Sequence, residues 1–139
     1  MNEVKQDAAV RQQESAGTTS TSSALASLRR IRIDEALARF GGDQERYIHW
    51  LIEFTEHGPN AAAQIRQAIT NGTIDAATKL AHALKGRTGM LGMGELHAIC
   101  QTLELALRSG DPPLMWLEEL ETAVDEMRAQ ITTALGPGR

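Results

Sequence analysis

Residues 73–92, TIDAATKLAHALKGRTGMLG, decide how this chain reads. An α-helix advances about 100° per residue, so with His82 at zero Leu80, Leu84 and Leu91 fall at about 160°, 200° and 180°. Ala77 and Thr88 lie beside them, and together these residues form a core-facing stripe. His82 then points away from the core. Asp75, Thr78, Lys79, Lys85, Gly86 and Gly89 share its face, all within about 60° of it.

Two features of that face point to a visiting molecule. Gly86 and Gly89 sit inside the helix, where each costs about 1 kcal/mol relative to Ala. A sequence that accepts this cost on one face keeps bare surface there, which lets a second molecule approach the imidazole. Lys79, Lys85 and Arg87 also surround His82, and Asp75 is the only acid on that helix. From His57 to Gly94 the chain carries a net +3, whereas Asp111–Arg128 carries a net -5. An exposed neutral imidazole is a nucleophile that accepts a phosphoryl group covalently. Lys85, one turn on, is placed to offset the charge that arrives.

Working outward, the pattern stays helical. Asp34 reads as the N-cap of a short segment, DEALARF, that stops at Gly41-Gly42. Asp43 caps a second helix with Ile48, Leu51, Ile52 and Phe54 on one face. Gly58-Pro59 interrupts it as a kink or restart, Ile65, Ala68 and Ile69 continue the stripe, and Asn71-Gly72 ends it. Thr73 caps the helix of His82, which runs to about Gly89 or Leu91, and a connection containing Gly92 and Gly94 follows. The next helix carries Leu96, Ile99, Cys100, Leu103 and Leu107 and stops at Ser109-Gly110. Asp111-Pro112 signals the start of the last, with Leu117, Leu120, Val124, Met127 and Ile131. Short loops between long helices predict an all-α fold. It is an antiparallel up-and-down four-helix bundle with a short leading helix, spanning residues 28–135. The skew to 20 Ala and 15 Leu against 3 Val supports helix over sheet. Residues 1–27, with seven Ser or Thr among the nine of Ser15–Ser23, read as a flexible tail or linker, and 136–139 as a C-terminal tail.

Composition excludes several classes. A net charge of -4 gives no reason to expect nucleic acid as a partner. A single cysteine, Cys100, excludes an internal disulfide or a Cys-based zinc site, and its place in an apolar stripe reads as a buried, inert thiol. The longest stretch free of Asp, Glu, Lys and Arg, Ser15–Leu28, is mostly Ser and Thr, so no membrane contact is expected of it. No apolar leader precedes it, and the expected setting is cytoplasmic.

The string Ala81-His82-Ala83-Leu84-Lys85-Gly86, followed by Leu91-Gly92, resembles the histidine-containing phosphotransfer (HPt) domain family, whose pattern is H-x-L-K-G and then LG. Upstream Ile33-Asp34 and Phe40-Gly41-Gly42-Asp43, and downstream Leu103-Glu104, are similar to that family as well, over roughly residues 31–131. The resemblance implies a phosphocarrier in a multistep phosphorelay, without autokinase activity, free-standing or as a module of a hybrid sensor kinase. His82 would take a phosphoryl group from the aspartate of a receiver domain and pass it to another. Lys85 would stabilise charge, and Gly86 would leave room for the partner. Lys79, Arg87, Gly89, Met90, Met93 and Leu37 are the expected docking residues. Arg87 stands where the family often has a small residue. No cofactor is expected on this domain, Mg²⁺ belongs to the partner receiver, and the domain is expected to be a monomer.

Three other readings compete. In the dimerisation domain of a histidine kinase the phospho-histidine is usually followed at once by an acid and five residues on by Pro. Ala83 and Arg87 hold those places here, and no nucleotide-binding Gly-rich site is visible. His49, Glu53 and His57, at i, i+4 and i+8, or His97, would serve a metal- or haem-binding bundle, although a solvated polar face is the simpler account. A non-catalytic interaction module would bind a partner without covalent chemistry. The acidic run Glu118, Glu119, Glu121, Asp125 and Glu126 reads as a solvated face with i,i+4 partners such as Arg128.

Overall fold

In a computed structural model, residues 24–136 are described. Five helices follow a short helical turn at 24–26: α1 (Ile33–Arg39), α2 (Gln44–Thr70), α3 (Ile74–Met90), α4 (Gly94–Ser109) and α5 (Leu114–Leu135). Connections of three or four residues force α2 to α5 to run alternately up and down. Each packs on its neighbour in sequence, and α5 closes the ring against α2. The core is built from Leu51, Phe54 and Ile65 of α2, Leu84 of α3, Leu96 and Leu103 of α4, and Leu117, Leu120 and Ile131 of α5. Among the described residues the fold is therefore the expected all-helical up-and-down bundle with a short leading helix.

Several boundaries differ from the sequence reading. Gly58-Pro59 does not break the second helix, since α2 continues for 27 residues with Pro59 inside it. A proline in a helix interior costs about 3 kcal/mol. Both halves of α2, however, bury apolar residues in the same bundle, Leu51 and Phe54 before Pro59 and Ala62, Ile65 and Ala68 after it, so packing outweighs the local cost. Asp34 is a first-turn residue of α1, whose N-cap is Arg32. The last helix starts at Leu114, two residues later than Asp111-Pro112 suggests, with Pro113 as N-cap. Thr73 is the N-cap of α3 but makes no capping bond, because its hydroxyl donates to the Ala68 carbonyl at 3.0 Å. Asp43 does cap α2, accepting from the Arg46 N–H at 3.1 Å.

Of the expected tail, residues 1–23 lie outside the described residues, as do 137–139 at the other end. Leu25, 3 % exposed, and Leu28 join the core, so packing starts earlier than residue 28. The segment after them crosses the α3–α4 turn, where the Arg32 N–H donates to the Gly92 carbonyl at 2.8 Å. Gly92 has φ +82°, and a Cβ there would stand 2.7 Å from the Arg32 carbonyl oxygen. Only glycine meets both the left-handed backbone and the close approach. Arg39 of α1 then donates to the Gly89 and Met90 carbonyls at the end of α3. The leading segment thus clamps the end of the helix that bears His82.

Candidate functional site

His82 lies midway along α3 with its side chain 61 % exposed. Ala77, Ala81, Leu84 and Thr88 face the core, and so does Thr78, which the helical geometry alone placed beside His82. Thr78 satisfies its hydroxyl by donating to the Ile74 carbonyl at 2.8 Å and is thereby compatible with burial. The buried arc of α3 is wider than the leucine positions alone imply. His82 stands at the edge of that arc, beside α4, rather than opposite it.

The neighbour on α4 is Glu104. Its carboxylate Oε2 is 3.0 Å from His82 Nδ1. An ionised carboxylate only accepts, so Nδ1 carries the proton, and in the neutral ring Nε2 keeps its lone pair. Glu104 is 5 % exposed, and both of its oxygens are taken up. Lys85 Nζ lies 3.0 Å from Oε1, and Arg108 Nε and Nη2 donate to Oε2 at 3.1 and 2.8 Å. Burial alone would raise the Glu104 pKa, but the hydrogen bonds from Arg108, Lys85 and His82 outweigh it and hold the carboxyl at about 2. The anion that balances Lys85 is therefore already in the fold, supplied by the next helix. Glu104 entered the sequence reading only through the Leu103-Glu104 resemblance. The available signal was an acid at the edge of the Leu96, Cys100, Leu103, Leu107 stripe, where solvation is poor and partners are required.

The two glycines of this face differ. A Cβ at Gly86 would meet nothing within 4 Å, so bare surface next to His82 is real. A Cβ at Gly89 would stand 2.9 Å from His97 Nδ1, which itself bonds the Lys85 carbonyl at 2.9 Å. Gly89 makes room for His97, and His97 ties α4 to α3 one turn beyond His82. A groove of about 510 Å³ opens beside these residues, lined by Arg39, Gly86, Gly89, Met90 and His97 among others.

The expected docking residues fall into separate places. Lys79 is exposed and Met90 is 38 % exposed, on the His82 side of the bundle. Leu37 is half-buried against the core. Arg87 bonds Glu53 at 3.3 Å and lies over the Trp50 ring at 5.4 Å, joining α3 to α2. Met93 is fully buried and so is not a docking residue. It occupies the turn before α4, where its N–H and carbonyl bond Thr88 and His97 and its side chain fills the core.

His49, Glu53 and His57 do not assemble a metal site. Among the described residues no three His, Cys, Asp or Glu side chains come together as one would require. His49 packs its ring edge against Trp50, and burial followed by the Arg87 charge lowers the His57 pKa. Cys100 is fully buried, which pushes its thiol up to about 12. Within the acidic run, Glu121 pairs with Arg66 of α2 through two bonds of 2.6 and 2.9 Å, a cross-helix partner rather than a neighbour on its own helix. No helix among the described residues is long and apolar enough to cross a membrane.

The model of the Hpt domain family matches residues 49–131, more than half of the chain, and this interval contains His82, Lys85, Gly86, Glu104 and Arg108. No curated protein and no solved structure matches the chain.

Proposed function

The chain belongs to the Hpt domain family, and from that premise we propose that His82 is its phosphorylated residue. Members of the family are histidine phosphocarriers of phosphorelays that interact with receiver domains, and they are not kinases. The observation that carries the assignment is the His82–Glu104 bond on an exposed face. It leaves Nε2 as the nucleophilic nitrogen, with no bond to it among the described residues, beside the open surface of Gly86.

This geometry supports the following transfer. The Nε2 lone pair attacks the phosphorus of a receiver's aspartyl phosphate. The N–P bond forms as the P–O bond to the aspartate breaks, and the aspartate leaves as a carboxylate. The ring gains positive charge and keeps its proton on Nδ1, against the Glu104 carboxylate. The reverse sequence passes the group to a second receiver. Lys85 offsets the phosphoryl charge, and Gly86 leaves clearance for the incoming domain. Lys79, Met90, Leu37 and the groove beside Gly86 and Gly89 form the docking surface, with Arg87 held at its edge by Glu53 and Trp50. The Mg²⁺ the chemistry needs belongs to the receiver, and the domain acts as a monomer without a cofactor of its own.

The test is transfer from a phosphorylated receiver domain. Wild-type protein acquires label that is stable in alkali and labile in acid, and His82→Gln acquires none. Label of that kind persisting in His82→Gln overturns the assignment.

A further inference from the structure

Glu104 holds more positive charge than it needs. Its single carboxylate faces two cations, Lys85 on Oε1 and Arg108 on Oε2, in addition to the His82 ring. The two cations differ in kind. Lys85 comes from α3, three residues from His82, and its ammonium is a point charge on a flexible stem. Arg108 comes from α4, one turn from Glu104, and grips Oε2 through two nitrogens of a planar group. Were Lys85 the only resident cation on Glu104, its departure would leave a buried carboxylate with the His82 ring as its one partner, a costly state before the ring gains charge. With Arg108 in place, Lys85 is free to leave.

We propose that Arg108 is a positioning residue for phosphoryl transfer: it keeps Glu104 neutralised and in place while Lys85 turns from Glu104 to the phosphoryl group on His82. Before transfer, Glu104, Lys85 and Arg108 together carry a net charge of +1. Lys85 is the surplus cation, and it meets the arriving dianionic group. Arg108 stays on Glu104, which continues to hold the Nδ1 proton. Without Arg108, Lys85 is retained by Glu104 and is lost to the phosphoryl group. This role rests on the assignment of His82 as the phosphorylated residue.

Single-turnover transfer from a phosphorylated receiver domain tests it in wild type, Arg108→Gln, Arg108→Lys, Lys85→Gln and the double variant Lys85→Gln/Arg108→Gln. The Arg108 side chain is 58 % exposed, so water screens its charge, and Arg108→Gln slows transfer about five-fold rather than by decades. Arg108→Lys recovers most of that rate. The decisive readout is coupling. Lys85→Gln slows the wild type about ten-fold but the Arg108→Gln protein only about two-fold, because Lys85 is already held on Glu104 there. A purely structural role leaves the two penalties equal. Equal penalties, or Arg108→Gln transferring at the wild-type rate, overturn the proposal. Helical circular dichroism at the assay temperature accompanies each rate. Should Arg108→Gln prove unfolded, Arg108→Met, which also removes the cation, and its double variant with Lys85→Gln carry the same comparison. Wild type that acquires no label on His82 refutes the phosphocarrier assignment itself and this role with it. Labelled wild type with uncoupled variants refutes only the role of Arg108.

Discussion

The phenol of Tyr47, buried near the start of α2, donates to the carbonyl of Leu91 at 2.8 Å, across 44 residues of chain. Leu91 is the C-cap of α3, so its carbonyl lies beyond the helix's own bonds, and the tyrosine satisfies it. The bond fixes the end of the helix that bears His82. Burial raises the Tyr47 pKa to about 12, against a small opposing effect of Arg39. Because the folded-state value lies above the unfolded one, this contribution to stability is complete below pH 10 and is lost as pH rises towards 12. Tyr47→Phe is expected to cost about 1 kcal/mol near neutrality and to flatten the alkaline limb, read as urea midpoints against pH. Identical alkaline limbs in the two proteins refute this account.

Glu104 sets the opposite limb. Its folded-state pKa of about 2 lies below the ordinary 4.5, so the stability it supplies is complete above pH 4.5 and is lost as pH falls towards 2. Glu104→Gln removes that loss. Its melting temperature is therefore expected to depend less on pH between 4.5 and 2 than that of the wild type. An unchanged acid slope counts against a paired, ionised Glu104.

With His82 as the proposed phosphorylated residue, the same carboxylate bears on the transfer step. Glu104→Ala removes the acceptor that keeps the proton on Nδ1. Transfer from a phosphorylated receiver is expected to fall by roughly ten-fold or more, the usual cost of losing a partner that orients a histidine. Nitrogen NMR of the His82 ring should show the Nδ1–H form dominant at neutral pH in wild type and mixed forms in Glu104→Ala. Equal tautomer populations in both proteins remove the basis for this role.

The limits of the sequence reading follow from what each residue contacts. The helices were legible because Leu, Ile and Ala recur with the helical period, and Asp43, Asn71-Gly72 and Ser109-Gly110 punctuate them locally. The exposure of His82 and the open surface at Gly86 were legible because a lone imidazole and a helix-breaking residue shared a polar face. What stayed hidden were contacts between helices. Nothing within α3 shows that Glu104 lies 3.0 Å from His82, that Met93 turns inward, or that the space over Gly89 belongs to His97. Of the kink or restart read at Gly58-Pro59, the restart failed for the same reason: the burial of both halves of α2 explains its continuity.

Three helical glycines turn this into a final prediction. Intrinsic propensity gives the same answer for all of them, a gain of about 1 kcal/mol on replacement by Ala. The surroundings give three different answers. At Gly86 the space is open, so Gly86→Ala should raise the melting temperature, and Gly86→Leu should keep helicity while blocking transfer to His82. At Gly58 a Cβ would stand 2.7 Å from Phe54 Cζ. That ring is fully buried and has nowhere to move, so Gly58→Ala should destabilise by about 1 to 3 kcal/mol. At Gly89 the obstacle is the His97 ring, which is only half-buried. Gly89→Ala should displace His97 from the Lys85 carbonyl and fall between the other two in stability. Thermal melts of the three variants check the order Gly86→Ala, Gly89→Ala, Gly58→Ala. Any ordering that places Gly58→Ala above Gly86→Ala contradicts the packing described for α2.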